Sequence, residues 1–236
     1  MVLPLLLTAG AGLLWLWWGW QAEQKTIARL RETQQDVHVA AMGPPQLRRV
    51  LGGRLGYLTD RVDFAWGIGL GAAETEQLDF QSLTQMQGLR LDNCELSQRN
   101  LNSLADLKNL QELSLYNLSV EQADLAFIEK LPALITLGLQ GRWVPSTGLK
   151  HLERLGHLKN LYLYGTGTTD LDLQYLRGLS SLESLNLQGN PISDAGLEHL
   201  QALRSLKRLL IDERLRDSPG ISQLKRAIPG LEVIAY

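Results

Sequence analysis

Histidine, cysteine, aspartate and one glycine-rich run are the residues of this chain whose chemistry is worth testing first, and their spacing decides what each can do. His38, His151, His157 and His199 would bind a metal or carry protons only if their rings converged. No HExxH or comparable ligand spacing joins them, and three fall in leucine-rich segments of helical spacing, so they read as surface or packing residues and no metal is expected. Cys94 is the only cysteine, which excludes an intrachain disulfide and a multi-cysteine zinc site and leaves a lone nucleophile or a small packing group. Asp170, Asp172 and Asp194 have the carboxylates for acid–base work, yet they stand just ahead of leucines at helical spacing, where Thr169-Asp170 and Ser193-Asp194 read as helix N-caps and Ser97 fits the pattern less well. Gly165-Thr166-Gly167-Thr168-Thr169-Asp170 is open enough to approach a phosphate but lacks the GxxxxGK[ST] spacing, and a strand-to-helix turn accounts for its glycines. No catalytic, cofactor-binding or metal residue is assigned, and no cofactor is expected.

The elements that carry these residues belong to a folded chain. Its 236 residues are 44% apolar and 20% charged, with a formal net charge of -2, so no global field steers it toward nucleic acid or an acidic substrate. Between residues 86 and 236, 16 basic and 17 acidic side chains are interleaved. That argues against a nucleic-acid stripe.

Val2 to Trp20 carries no charged side chain. As a helix it would be about 28 Å long, near the hydrocarbon thickness of a bilayer, with Trp15, Trp17, Trp18 and Trp20 at the end where indoles prefer the headgroup layer. The expectation is an uncleaved single-pass anchor over 1–20. A signal peptide cut near Ala9-Gly10-Ala11 is the alternative, although it would leave only Val2 to Leu7 ahead of the site and a strongly apolar Leu13 to Trp20 behind it. Lys25, Arg29, Arg31, Arg48, Arg49, Arg54 and Arg61 outnumber Glu23, Glu32, Asp36 and Asp60, leaving 21–61 at +3. Taken literally, the positive-inside rule then puts the C-terminal bulk in the cytoplasm, but the rule is weak for one helix and the side stays open. Gln21 to Gln35 reads as a polar helical stalk, Asp36 to Met42 as a short strand with Val37, Val39 and Ala41 alternating, and Gln46 to Asp60 as a basic helical stretch after Gly43-Pro44-Pro45. Residues 21–61 are therefore set apart as a stalk and adaptor.

Beyond them a period governs everything. Met86/Leu89/Leu91, Leu110/Leu113/Leu115, Leu134/Leu137/Leu139, Leu158/Leu161/Leu163, Leu182/Leu185/Leu187 and Leu206/Leu209/Ile211 follow L-x-x-L-x-L, each start 24 residues after the last. A second set recurs behind each: Leu101/Leu104/Leu107, Leu125/Ile128/Leu131, Leu149/Leu152/Leu155, Leu173/Leu176/Leu179 and Leu197/Leu200/Leu203. Each unit is thus a short strand, a turn and a short helix whose leucines share one interior, and only stacking buries them.

Leu182 to Ile192 matches L-x-x-L-x-L-x-x-N-x-L in full, and Cys94 with Leu96 fills the last two positions of an earlier unit. On these residues the stretch 86–236 resembles bacterial leucine-rich-repeat proteins, and Ile192-Ser193-Asp194-Ala195-Gly196-Leu197 resembles the variety with Ser/Thr-Asp-x-Gly-Leu before its helix. A membrane helix and adaptor ahead of the repeats resembles anchored members of that group. The resemblance implies an α/β solenoid, with parallel strands on a concave face and short helices on a convex one, behind an N-terminal transmembrane helix. Some proteins of this kind are ubiquitin ligases with a catalytic cysteine in a separate domain, whereas Cys94 sits in the repeat's own Asn/Cys position, where a small buried group is wanted. Leu118, Arg142 and Thr166 depart from that position, so the side-chain ladder that satisfies loop backbone there should be incomplete and the middle turns irregular. Val62 to Leu83, with Val62, Phe80 and Leu83 in phase but Ala65 and Gly67 at leucine positions, reads as a degenerate capping repeat over 62–85. Leu224, Ile228 and Leu231 to Ile234 read as a final half unit displaced by one residue.

Function then falls to the concave surface. If Leu113 and Leu115 point inward, Glu112, Ser114 and Tyr116 point outward, and the same register gives Thr136, Gly138 and Gln140; Asn160, Tyr162 and Tyr164; Ser184, Asn186 and Gln188. Charge lies toward the ends at Arg90, Asp92, Arg208 and Asp212. Tyr116 and Tyr164 should stand roughly 10 Å apart with Gln140 between them. The expected partner surface is Arg90, Asp92, Glu112, Tyr116, Gln140, Tyr162, Tyr164, Asn186 and Gln188, and the expected partner a protein or peptide bound by a membrane-tethered module. The alternative is a structural subunit permanently docked in a larger membrane complex, and an enzyme accessory or unrecognised enzyme comes third.

Overall fold

A computed structural model describes residues 37–41, 60–68, 71–76, 86–120, 124–144 and 148–236. The anchor over 1–20, the stalk over 21–35, the basic stretch over 46–59 and the phase residues Phe80 and Leu83 lie outside the described residues. Among the described residues no helix is long and apolar enough to cross a membrane.

The strands form one sheet in chain order: β1 (Val37–Ala41), β2 (Asp60–Ile68), β3 (Gly88–Asp92), β4 (Glu112–Tyr116), β5 (Thr136–Gln140), β6 (Asn160–Tyr162), β7 (Ser184–Asn186), β8 (Arg208–Ile211) and β9 (Glu232–Ala235). From β2 onward every pairing is parallel and in register by 24 residues, so Leu89, Leu113, Leu137, Leu161, Leu185 and Leu209 stand in one row. The last five of these are fully buried and Leu89 almost so. Each such leucine contributes on the order of 2 kcal/mol by leaving water.

Two expectations about the ends change. Val37–Ala41, placed by sequence in the adaptor, pairs antiparallel with β2, and β2 itself begins at Asp60, so the division at residue 61 falls inside a strand. A strand edge left bare at the start of a solenoid invites pairing, and β1 covers it. At the other end β9 is not displaced: Val233 pairs with Leu209 and Ala235 with Ile211, both 24 residues on. Only Leu231, buried behind the strand, sits one residue late relative to Leu206.

The convex side also differs. Among the described residues, apart from α1 (Ala72–Thr75), α2 (Gln98–Ser103), α3 (Asp194–Leu197) and α4 (Pro219–Ala227), it is built from 3-10 turns such as Ala126–Lys130, Gly148–Leu152 and Asp172–Leu176. Leucines spaced by three suit that geometry, because i and i+3 eclipse in a 3-10 turn and face one way.

The turns out of β3 to β7 each carry a left-handed residue. Asn93, Asn117, Gly141, Gly165 and Gly189 occupy equivalent positions and all have positive φ. The first four donate their N–H to the carbonyl of Tyr116, Gln140, Tyr164 and Gln188 respectively, one strand on. Asparagine or glycine is required there because other side chains meet the following carbonyl.

The following position holds the expected ladder, and its irregularity is real. Asn190 donates to the carbonyls of Leu163 (2.6 Å), Leu187 (2.9 Å) and Gln188 (3.1 Å), while its oxygen accepts from Thr168 N and Thr166 Oγ1. Leu118 instead is simply buried. Arg142 is turned out to solvent; Val144 fills the interior and the Trp143 indole N–H donates to Gln140 O at 2.8 Å in place of an amide.

Candidate functional site

Because strand residues alternate faces, the non-leucine positions of β3 to β8 make three rows on the concave side. The first runs Glu112, Thr136, Asn160, Ser184, Arg208; the second Arg90, Ser114, Gly138, Tyr162, Asn186, Leu210. The third begins Asp92, Tyr116, Gln140, and backbone bonds from Leu163 N to Asn186 O and Gly165 N to Gln188 O carry it on to Tyr164 and Gln188. All nine residues of the expected partner surface lie in these rows.

They are not equally available. Arg90 packs its guanidinium over the Tyr116 ring, 4.7 Å from its centroid, and pairs with Asp92 Oδ2 at 3.2 Å. The far side of the same ring leans on Gly138: a Cβ there would stand 2.8 Å from Tyr116 Oη and 2.9 Å from a ring carbon. Glycine at 138 is therefore the seat of Tyr116, a role legible in sequence only as an empty position in the second row. Farther on, Asn160 Nδ2 donates to Thr136 Oγ1 at 3.0 Å, and Asn186 Oδ1 accepts from Gln188 N at 2.9 Å. Ser184 is 2% exposed and offers nothing to a partner. Tyr164 is 48% exposed, and Tyr162 and Gln188 are half-buried with no side-chain bond among the described residues. Asp212 accepts from Gly189 N at 2.7 Å, which closes the last turn of the left-handed column.

Several of the carboxylates, hydroxyls and imidazoles singled out in the sequence are bonded within or between repeat units. Asp170 does not cap its own turn; it accepts from Ser193 N at 2.7 Å and from Ser193 Oγ, clasping the next unit. Asp172 accepts from Thr169 N (2.8 Å) and Thr169 Oγ1 (2.7 Å). Ser193 caps α3 as expected, and Asp194 Oδ1 is buried beside Gly220 without a partner among the described residues. Ser97 forms a full capping box with Asn100 and is the most complete cap of the three, because asparagine three residues on returns the bond that an acid would usually give. His151 bridges Glu129 (2.6 Å) and Asp124 (3.3 Å) through opposite ring nitrogens, so its partners do not converge on a metal position. That hydrogen bond, with the attraction of His151 and Arg154, holds the Glu129 carboxyl below its usual range despite slight burial. Glu183 is lowered likewise, chiefly by its bond to Lys207 at 2.6 Å. Cys94 is buried. His38 lies in β1, and His157 is exposed.

No family model matches this chain, and no curated protein matches it in sequence. Solved structures do. An internalin (inlC2) from Listeria monocytogenes superposes with a TM-score of 0.51 at 19% identity over 75% of each chain. A second Listeria internalin, inlF, gives 0.52 at 19% identity over 79% of this chain and 62% of its own. A leucine-rich-repeat protein of Leptospira interrogans gives 0.49 at 20% identity over 66% of this chain and 38% of its own. Taken with the 24-residue register and the rows of buried leucines, the two internalin superpositions identify the architecture: this chain has the leucine-rich-repeat fold.

Proposed function

We propose that the chain is a recognition module that binds a protein or peptide on the concave face, and that residues 2–20 tether it to a membrane. The observation that carries the binding reading is the concentration of Tyr162, Tyr164, Asn186 and Gln188 on one stretch of regular sheet with little internal bonding of their side chains. Flat amphipathic rings beside adaptable amides give contact area at small entropic cost, and a rigid sheet holds them in place. The Arg90, Asp92, Tyr116 and Glu112 end supplies charge and one ring already fixed in position. Residues 62–85 serve in this reading as the capping repeat and 86–236 as the binding domain. The tether rests on the uncharged length of Val2 to Trp20 and its tryptophan-rich end.

Capture from native membranes in mild detergent, followed by alanine substitution, tests the reading. Tyr162→Ala or Tyr164→Ala should weaken the captured complex by about 2 kcal/mol with folding intact, while Lys150→Ala and Arg154→Ala on the convex side leave it unchanged. Equal affinity across Tyr116→Ala, Tyr162→Ala and Tyr164→Ala would place the partner elsewhere. Resistance to alkaline carbonate washing is the expected behaviour of the tether, and a mature N-terminus near Gly12 would end that part of the proposal.

A further inference from the structure

A second surface lies on the rim where the strands of the sheet end and the left-handed turns begin. A depression of about 630 Å³ there has a floor of Gly165, Gly167 and Gly189, an apolar flank at Pro191, and Arg142 and Arg214 on its border. The placement of the two arginines is the unusual feature. They occupy the repeat position that holds Cys94, Leu118, Thr166 and Asn190, all of them buried, and both are instead exposed. At this position the chain twice replaces an inward group with a solvent-facing cation, 72 residues apart, and both border the same depression. Trp143 takes over the bond that Arg142 cannot make inside, so the outward turn at 142 is a built feature of the unit. Arg142 has no ion pair or hydrogen bond among the described residues. Arg214 is steadied by Asn190 O at 2.9 Å and approaches Asp212 at 3.6 Å.

We propose that this rim binds an extended acidic peptide lying along the solenoid axis, with one carboxylate on Arg142 and a second, four residues away, on Arg214. The spacing follows from the fold. Three strand intervals of about 4.8 Å separate the arginines by about 14 Å, and an extended chain advances about 3.4 Å per residue, so positions i and i+4 also stand about 14 Å apart. The even interval puts both carboxylates on one side of the peptide. Gly165 and Gly167 leave the path open, since a Cβ at either would meet nothing within 4 Å. Guanidinium forks suit carboxylates in bidentate geometry. The site shares none of the tyrosines of the concave face and does not depend on that face binding anything.

The probe is a fluorescein-labelled, end-blocked peptide of small polar residues with aspartates at i and i+4, titrated by anisotropy against the full chain at low ionic strength. Arg142→Gln should weaken binding about tenfold, as should either Asp→Asn change in the peptide, and the double Arg142→Gln/Arg214→Gln variant should abolish it. Moving the aspartates to i and i+2 should cost about as much as removing one of them. Arg142 is exposed and has no bonded partner among the described residues, so its variant is expected to keep the fold; circular dichroism checks this and also the Arg214 variant, whose bond to Asn190 is lost. Equal binding of the all-Asn peptide, or wild-type affinity in Arg142→Gln, would overturn the proposal, and Tyr162→Ala should leave this peptide's affinity unchanged.

Discussion

The two halves of the repeat array solve one problem differently. After each strand the chain turns inward and exposes carbonyls to the core; around residues 163–192 Thr166, Thr168 and Asn190 satisfy them with a buried hydrogen-bonded network. Around residues 118–144 no such network exists among the described residues: Leu118 fills space, and Trp143 makes a single bond to Gln140 O. The backbone register is the same in both halves. The leucine rows therefore fix the stacking, and the ladder position is free to vary as long as each buried carbonyl finds some donor.

Four measurements bear on this contrast, from the largest effect down. Leu137→Asp puts a charge into the fully buried row at β5, the seam between the halves, and should cost more than about 4 kcal/mol. Amide exchange should then lose protection on both sides of the seam; protection retained in β4 and β6 would mean the halves are not joined through that row. Asn190→Ala removes the donor to three carbonyls and the acceptor for Thr168 N, and should destabilise by about 3 kcal/mol in a denaturant melt. Trp143→Phe keeps the ring and deletes one bond, so about 1 kcal/mol is expected. A Trp143→Phe cost equal to that of Asn190→Ala would erase the distinction between the two solutions. The smallest effect is electrostatic and lies on the convex side of the middle units. Glu129 titrates below its usual value in the folded chain, so its contribution is present above the unfolded value and is lost as pH falls through the folded one. Thermal melts of wild type and Glu129→Gln should therefore converge as the solution is acidified, with only a small gap at neutral pH because the pair is exposed; a gap that widens on acidification would reverse the sign.

The leucine spacing makes the parallel register readable in the sequence, since a period of 24 in every buried row has a single stacking solution. The three concave rows followed from alternation alone. What was not readable came from contacts between units. Arg90 over Tyr116, and Tyr116 seated on Gly138, join residues 26 and 22 apart in sequence through side-chain direction rather than periodicity. Asp170 resembled a cap because its own turn follows it, yet it reaches the neighbouring unit's Ser193 instead. The antiparallel β1 was visible as a strand, but its alternation carried no information about its partner. The left-handed column is written in the sequence as Asn93, Asn117, Gly141, Gly165 and Gly189, each 24 residues after the last.

That column, and the parallel pairing it feeds, has a mechanical consequence. Every strand is bonded to the next along the solenoid axis, so a pull on the two ends loads those bonds in line and opens them one strand at a time rather than shearing many together. Each unit that peels away releases 24 residues, about 80 Å of slack chain, before the next begins to yield. Under tension the domain would lengthen in equal steps and act as a graded shock absorber, with its toughest step where Asn190 bridges two units.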